Sequence, residues 1–372
     1  MLRRLESWPD WKAALGLTAA LRILYSAIAA ALSFVLAPDP ARIHSNALTG
    51  NLPAPGTLYY ALAGVWERFD TLWYLRIAQH GYDLPRAVIF YPLYPAAIRV
   101  ASTVMPPLMA ALFVSTLAAF VFLWGLLRLA RAASPPSARL RTVLLVLAWP
   151  TSFILFAGYA ESLLLALLVW AVLLAREQRW SGAAVCGVLA SMCRPSGVLV
   201  AIPLALLALR GRQWKSIIVL LTPLGLLAYW GWLRSTGRLS VVEAYRVYQG
   251  SSFAPPWDGL REALHLIVSE RDELLAIKLA LVVLMAAFSL RREVRLEDKL
   301  FACAVILQMM MYTGRPLLAA ARYLLPVYPA FIALGSYAAR RWSDRQLAFF
   351  LAAFSIFNLV WFGAFLDWSL VF

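Results

Sequence analysis

The chain has 372 residues, 62% hydrophobic and 14% charged, with a net charge of +15 and a mean hydropathy of +0.73. Soluble domains carry roughly 45–50% apolar and about 25% charged residues, so this composition excludes a soluble globule, a disordered chain, a collagen-like fibre and a disulfide-stapled secreted module, and leaves an integral membrane protein. The positive charge is accounted for by arginines at membrane edges, and no nucleic-acid partner is expected.

A membrane-spanning helix needs about 20 apolar residues. Runs of this kind, several of them short, fall at 13–36, 105–127, 142–158, 161–175, 182–193, 197–209, 217–233, 274–290, 300–313, 323–339 and 347–366. About eleven spans therefore predict an all-α polytopic bundle forming a single domain over 1–372. Arg194-Pro195 interrupts the pair 182–193 and 197–209, as expected of a residue that lacks an N–H and restricts its predecessor. The first run contains Arg22, yet it is longer than a signal-peptide core and reads as a retained span.

The linkers alternate in charge. One set is short and basic: Arg3, Arg4 and Lys12; Arg128, Arg131, Arg139 and Arg141; Arg176 and Arg179; Arg210, Arg212 and Lys215; Arg291, Arg292, Arg295 and Lys299; Arg340, Arg341 and Arg345. The positive-inside rule places this set in the cytoplasm. The N-terminus is then inside, and an odd number of spans puts the C-terminus outside. Both long loops, 37–104 and 234–273, fall on the outer face, with Glu67, Asp70, Asp83, Glu243 and Asp258. Any chemistry is expected there, because the cytoplasmic loops are too small to hold a soluble nucleotide. The cysteines, Cys186, Cys193 and Cys303, lie in apolar runs without redox or zinc spacing, and His44, His80 and His265 are scattered, so no metal or cofactor is expected.

In chain order, the first candidate is Arg22, roughly 14 Å into its span at 1.5 Å per residue. An intramembrane charge is a functional candidate by default, although a structural pairing serves as well. Next comes the 66–83 segment, where Phe69, Leu72, Trp73 and Ile77 recur at helical spacing. They predict a short interfacial helix stopped by Gly81. It is either an anchor with incidental charges or the carrier of Asp70, a partly desolvated acid suited to act as a general base. The element Phe90-Tyr91-Pro92-Leu93-Tyr94-Pro95 reads as a rigid aromatic turn or a kinked helix start. Glu161, in Tyr159-Ala160-Glu161-Ser162, either complements a helix dipole or orders a site. Arg194, Arg315 and Arg322 fall on the outer side, where the charge rule does not call for them. They either snorkel to headgroups or bind phosphate through their planar forks. Phe253 to Asp258 could cap a site or simply pack a loop.

Five of these elements together resemble a known family. Phe69-Asp70 with Trp73-Tyr74-Leu75-Arg76-Ile77-Ala78-Gln79-His80-Gly81-Tyr82 is similar to the outer-loop motif of the PIG-V-type mannosyltransferases and their bacterial relatives. Phe90 to Pro95 resembles the family's Phe-Pro-Leu-x-Pro element. Tyr159-Ala160-Glu161-Ser162-Leu163, Arg194-Pro195-Ser196-Gly197 and Arg322-Tyr323-x-x-Pro326 resemble three later ones. Phe69 stands where the family has Trp, which changes an aromatic contact and leaves the carboxylate. The modest length implies a bacterial member whose acceptor is not a GPI lipid.

The resemblance implies a GT-C fold, a catalytic Asp70 and a polyprenyl-phosphate-linked sugar donor, typically mannose. It implies a lipid or glycan acceptor and substrate contacts from Glu161, Arg194, Arg322, Tyr323, Trp73 and Tyr91, with Arg22 as a further candidate. The membrane would be the cytoplasmic one, its lipids surrounding the chain. Topology gives separate support, since an outward-facing transferase needs a lipid-carried donor. A flippase for a lipid-linked sugar and a non-catalytic membrane subunit are the competing readings.

Overall fold

The computed structural model describes residues 6–36, 48, 56–133 and 136–369. His44, Arg3, Arg4 and the first part of the first long loop, residues 37–47 and 49–55, lie outside the described residues. The apolar runs fold in order as helices α1 (Asp10–Ser33), α2 (Leu58–Leu62), α3 (Asp70–His80), α4 (Leu93–Ala101), α5 (Pro107–Ala133), α6 (Pro136–Ala148), α7 (Glu161–Arg176), α8 (Trp180–Cys193) and α9 (Ala201–Gly211). There follow α10 (Leu224–Ser235), α11 (Val241–Gln249), α12 (Pro256–Ser269), α13 (Glu273–Ser289), α14 (Leu296–Met310), α15 (Ala320–Tyr323), α16 (Tyr328–Arg341) and α17 (Asp344–Leu366). Two short antiparallel strands, β1 (Ser252–Phe253) and β2 (Tyr312–Thr313), tie the second long loop to the end of α14.

Every apolar run of the sequence contains helix, but the spans differ in build. Among the described residues, four stretches are long and apolar enough to cross a membrane unaided: Asp10–Ser33, Pro107–Arg131, Trp214–Ser235 and Asp344–Leu366. The run 142–158 is not one helix: α6 stops at Ala148, just before Pro150, and the chain resumes as a 3₁₀ turn over Ser152–Phe156. The run 323–339 likewise divides at Pro326 into α15 and α16, and 300–313 starts earlier, at Leu296, and ends as β2. Proline before a helix turn removes a backbone donor, so the break falls where the sequence carries one.

Helix α5 packs on α1 and α7, α7 on α8, and α6 on α16. Trp66, Trp149, Phe153, Phe156, Tyr159 and Phe362 are fully buried where α1, α17 and the 3₁₀ turn meet. The basic linkers gather at one end of the bundle as ion pairs. There Arg131 and Arg139 meet Asp10, Arg141 meets Asp344, Arg176 meets Asp298, Arg210 meets Glu297, and Arg291 and Arg340 share Glu293.

The helix expected in the first long loop is α3. It closes at Gly81, whose φ of +73° is a conformation that glycine adopts without a Cβ penalty. Its apolar face is not spread on lipid. Leu72, Trp73, Tyr74 and Ile77 are buried in the protein, with Tyr74 edge-on to Phe90 and Tyr94. Burying those rings against other aromatics removes more apolar surface from water than an interfacial position would.

Candidate active site

The start of α3 is held by the residues before it. Arg68, 2% exposed, donates to the carbonyls of Glu67 and Leu366 and to Tyr60 Oη, and its guanidinium lies 4.8 Å from the Trp368 ring centroid. Phe69 follows at φ +50° and ψ −117°, a conformation that L-residues rarely adopt and that costs about 1–3 kcal/mol. Its ring packs against Phe365 and Trp368, which hold it there. This sharp turn presents Asp70 as the first residue of α3.

Two further turns approach from other parts of the chain. Gly158 lets the turn before α7 lie directly on α3, since a Cβ there would come within 2.6 Å of Thr71 Cγ2. The turn delivers Tyr159 and Glu161, the latter being the first residue of α7. At the end of α8, Arg194 is extended and Pro195 opens a 3₁₀ turn. Gly197 allows that turn to fold back, because a Cβ would lie 1.9 Å from the Ala190 carbonyl oxygen. The third component, Arg322, sits in α15, whose position is set by a buried polar relay. Tyr25 Oη donates to Asn358 Oδ1 at 2.8 Å, Asn358 Nδ2 to the Trp149 carbonyl at 2.7 Å, and Trp149 Nε1 to the Ala321 carbonyl at 2.7 Å.

These turns bring four charges together. Arg322 Nη1 donates to Asp70 Oδ2 at 2.8 Å, and its Nε lies 3.1 Å from Glu161 Oε1. Arg194 Nη1 donates to the same Glu161 oxygen. The side chains of Glu161 and Arg322 are only 4% and 7% exposed, that of Arg194 13%, and that of Asp70 27%. Two cations and two anions balance, as buried charges require. A cation therefore holds one oxygen of Asp70, which is partly buried and the most exposed member of the cluster. Its backbone N–H donates to Tyr159 Oη at 3.4 Å. Burial, and secondarily the Asp70 charge, push the Tyr159 phenol well above its ordinary value, so it stays neutral. Glu161 Oε2 is buried without a hydrogen-bond partner among the described residues.

Three members of the cluster, Glu161, Arg194 and Arg322, line a cleft together with Ser196, Tyr245, Gln308, Tyr312 and Tyr323, whereas Asp70 is not part of that lining. Tyr323 stacks beneath both guanidinium groups, 4.9 Å from Arg194 and 5.2 Å from Arg322. Aromatic faces with a few oriented polar groups suit a polar ring such as a sugar. Phe253 lies 4.7 Å from the Tyr312 ring, so the second long loop braces this wall by packing, while Trp257 is exposed.

The structure thus brings Asp70, Glu161, Arg194, Arg322 and Tyr323 together and leaves three candidates outside. Trp73 stacks on Phe90 with Arg86 over its ring. Tyr91 is buried against Tyr229 and accepts from Trp230 Nε1 at 3.0 Å. Arg22 donates to the Phe156 carbonyl at 2.6 Å and lies over Trp66, which is the structural pairing that its depth allowed. Arg315 borders a neighbouring recess rather than the cluster. The sequence reading passed over Tyr245, Gln308 and Tyr312. Each sits in or beside an ordinary-looking helix, and only Gln308, a polar residue within an apolar run, carried a signal.

No family model matches the chain, and no curated protein matches it. Among solved structures the chain is similar to ArnT from Cupriavidus metallidurans, whose crystal structure holds undecaprenyl phosphate. The TM-score is 0.51 at 15% identity, over 92% of this chain and 64% of ArnT. The chain thus spans slightly less than two thirds of that protein's length. At this identity the likeness is one of fold, and the expected all-α, GT-C-like membrane bundle is the fold observed.

Proposed function

We propose that this chain is a membrane glycosyltransferase that moves a sugar from a polyprenyl-phosphate donor to a hydroxyl of an extracytoplasmic lipid or glycan. The observation that carries this reading is the Asp70–Arg322–Glu161–Arg194 cluster, set at one end of a bundle whose fold is shared with a protein crystallised with a polyprenyl phosphate. The five PIG-V-like motifs support mannose as the sugar, and four of them supply residues of the cluster or its cleft.

In this reading Asp70 is the base. Arg322 engages Oδ2, leaving Oδ1 to accept the acceptor's proton. The acceptor oxygen attacks the anomeric carbon as the bond to the phosphate oxygen breaks. The electron pair leaves on the phosphate and the anomeric configuration inverts. Arg322 and Arg194 lie where the departing phosphate gains charge, and donors aimed at developing charge lower the barrier. A phosphate leaves without a general acid, so one base is enough. Glu161 Oε2 is available for a substrate hydroxyl.

The test is transfer from polyprenyl-phosphate mannose to a native lipid extract in proteoliposomes. Asp70→Asn should lower turnover by about 10²-fold or more and leave the thermal unfolding profile close to that of the parent protein. Normal transfer by Asp70→Ala would end the assignment. Movement of the donor lipid across the bilayer without new glycosidic bonds would favour a flippase.

A further inference from the structure

The charged side chains that line the cleft pair with one another, Arg194 and Arg322 with Glu161. Two neutral ones do not. Gln308 follows the apolar run Leu300–Leu307 in α14. Helical spacing puts it on one face with Val305 and Met309, and all three line the cleft, while Leu307 is exposed on another face. Gln308 is half-buried, and its side-chain amide has no hydrogen-bond partner among the described residues. Ser196, in the 3₁₀ turn that follows Arg194, lines the same cleft, and its hydroxyl is likewise without a partner among the described residues. A primary amide offers two donor hydrogens and an accepting oxygen. A hydrocarbon ligand would displace water and leave both halves unmet, which is unfavourable. An oxyanion would engage the N–H half alone. A sugar hydroxyl, which donates and accepts, satisfies both.

We infer that Gln308 is a specificity-determining residue, whose amide binds one ring hydroxyl of the transferred sugar while Ser196 binds the same ring. The two substrates divide at Arg322. Asp70, the base, is outside the cleft lining, so the acceptor oxygen meets it there and the sugar occupies the cleft. A site built to bond a hydroxyl rejects the analogue that lacks it, because the polar group of the site is then left unpaired. Gln308 therefore selects a sugar that carries that hydroxyl over its deoxy counterpart. This inference rests on the proposed glycosyl transfer and adds to it the residue that reads the sugar.

Transfer from polyprenyl-phosphate mannose and from its monodeoxy forms to a native lipid extract can be compared with the full chain in proteoliposomes. The parent protein should use at least one deoxy donor with a kcat/KM lower by about tenfold or more, the effect of a lost hydrogen bond that leaves its partner unpaired. Gln308→Leu should lower kcat/KM for the mannose donor by a similar factor and use that one deoxy donor as well as mannose, while its discrimination against the other deoxy donors stays as in the parent protein. Gln308→Met makes the same test if Gln308→Leu does not fold. A merely structural role would lower all donors equally, and that outcome would overturn the inference, as would a variant that keeps the full discrimination or a parent protein that uses every deoxy donor as well as mannose. In each of these cases transfer itself survives, and the glycosyltransferase reading with it. A parent protein that transfers none of these sugars would overturn the mannosyl-donor reading and the role of Gln308 together.

Discussion

Glu161 and Asp70 carry the same charge at the cluster and should respond differently to its removal. Glu161 is buried and neutralises two arginines through one oxygen. Asp70 is the outermost member and has a single cationic partner, Arg322, among the described residues. Removing one member of a buried ion-pair group leaves uncompensated charge and costs about 3–5 kcal/mol. A partly exposed pair contributes about 1 kcal/mol or less. Glu161→Ala is therefore expected to lower the unfolding temperature in detergent clearly, and Asp70→Asn hardly at all. Equal shifts for the two variants would contradict the burial difference between them. Sequence position alone makes both residues acids beside aromatics; the difference arises from which neighbours the fold supplies.

At the scale of elements, the site depends on three turns rather than on long helices. Arg194 is aimed by the break at Pro195, and that break closes only because Gly197 has no side chain. Gly197→Ala would drive a Cβ into the Ala190 carbonyl, which forces a backbone shift costing about 1–3 kcal/mol and moves Arg194 off Glu161. Loss of both transfer activity and thermal stability is expected. Gly231→Ala is the control, since an added Cβ there meets nothing within 4 Å, and it should change neither. Much of this layer was legible beforehand. The extent of α3, its stop at Gly81 and the interruption at Arg194-Pro195 follow from local chemistry, because a proline or a left-handed position acts within a few residues. The inward packing of Trp73 and Leu72 was not legible, since a periodic apolar face looks the same whether it meets lipid or protein.

For the molecule as a whole, the two ends of the bundle differ in charge organisation. One end carries the basic linkers, many of them paired with acids at helix starts such as Asp10, Asp298 and Asp344. The cluster and its cleft lie at the other. The positive-inside rule predicts that the site faces outward, and this can be measured with a membrane-impermeant maleimide. Glu270→Cys, exposed in the loop before α13, should label in intact cells. Arg345→Cys, exposed at the start of α17, should label only after permeabilisation. The reverse pattern would place the site in the cytoplasm and remove the need for a lipid-carried donor.

Composition and hydropathy by themselves determine that this chain belongs in a membrane, that it is helical and roughly where its helices run. These properties depend on how each residue partitions between water and hydrocarbon, and that preference needs no knowledge of distant neighbours. The pairing of Asp70 with Arg322 joins residues 252 positions apart, and the relay through Tyr25, Asn358 and Trp149 that places α15 crosses still more of the chain. Only the tertiary structure decided those partnerships, and only it separated Arg22 and Tyr91 from the cluster. Charges buried in a bundle are stable only where specific opposite charges or donors meet them, and which groups meet depends on how the helices pack.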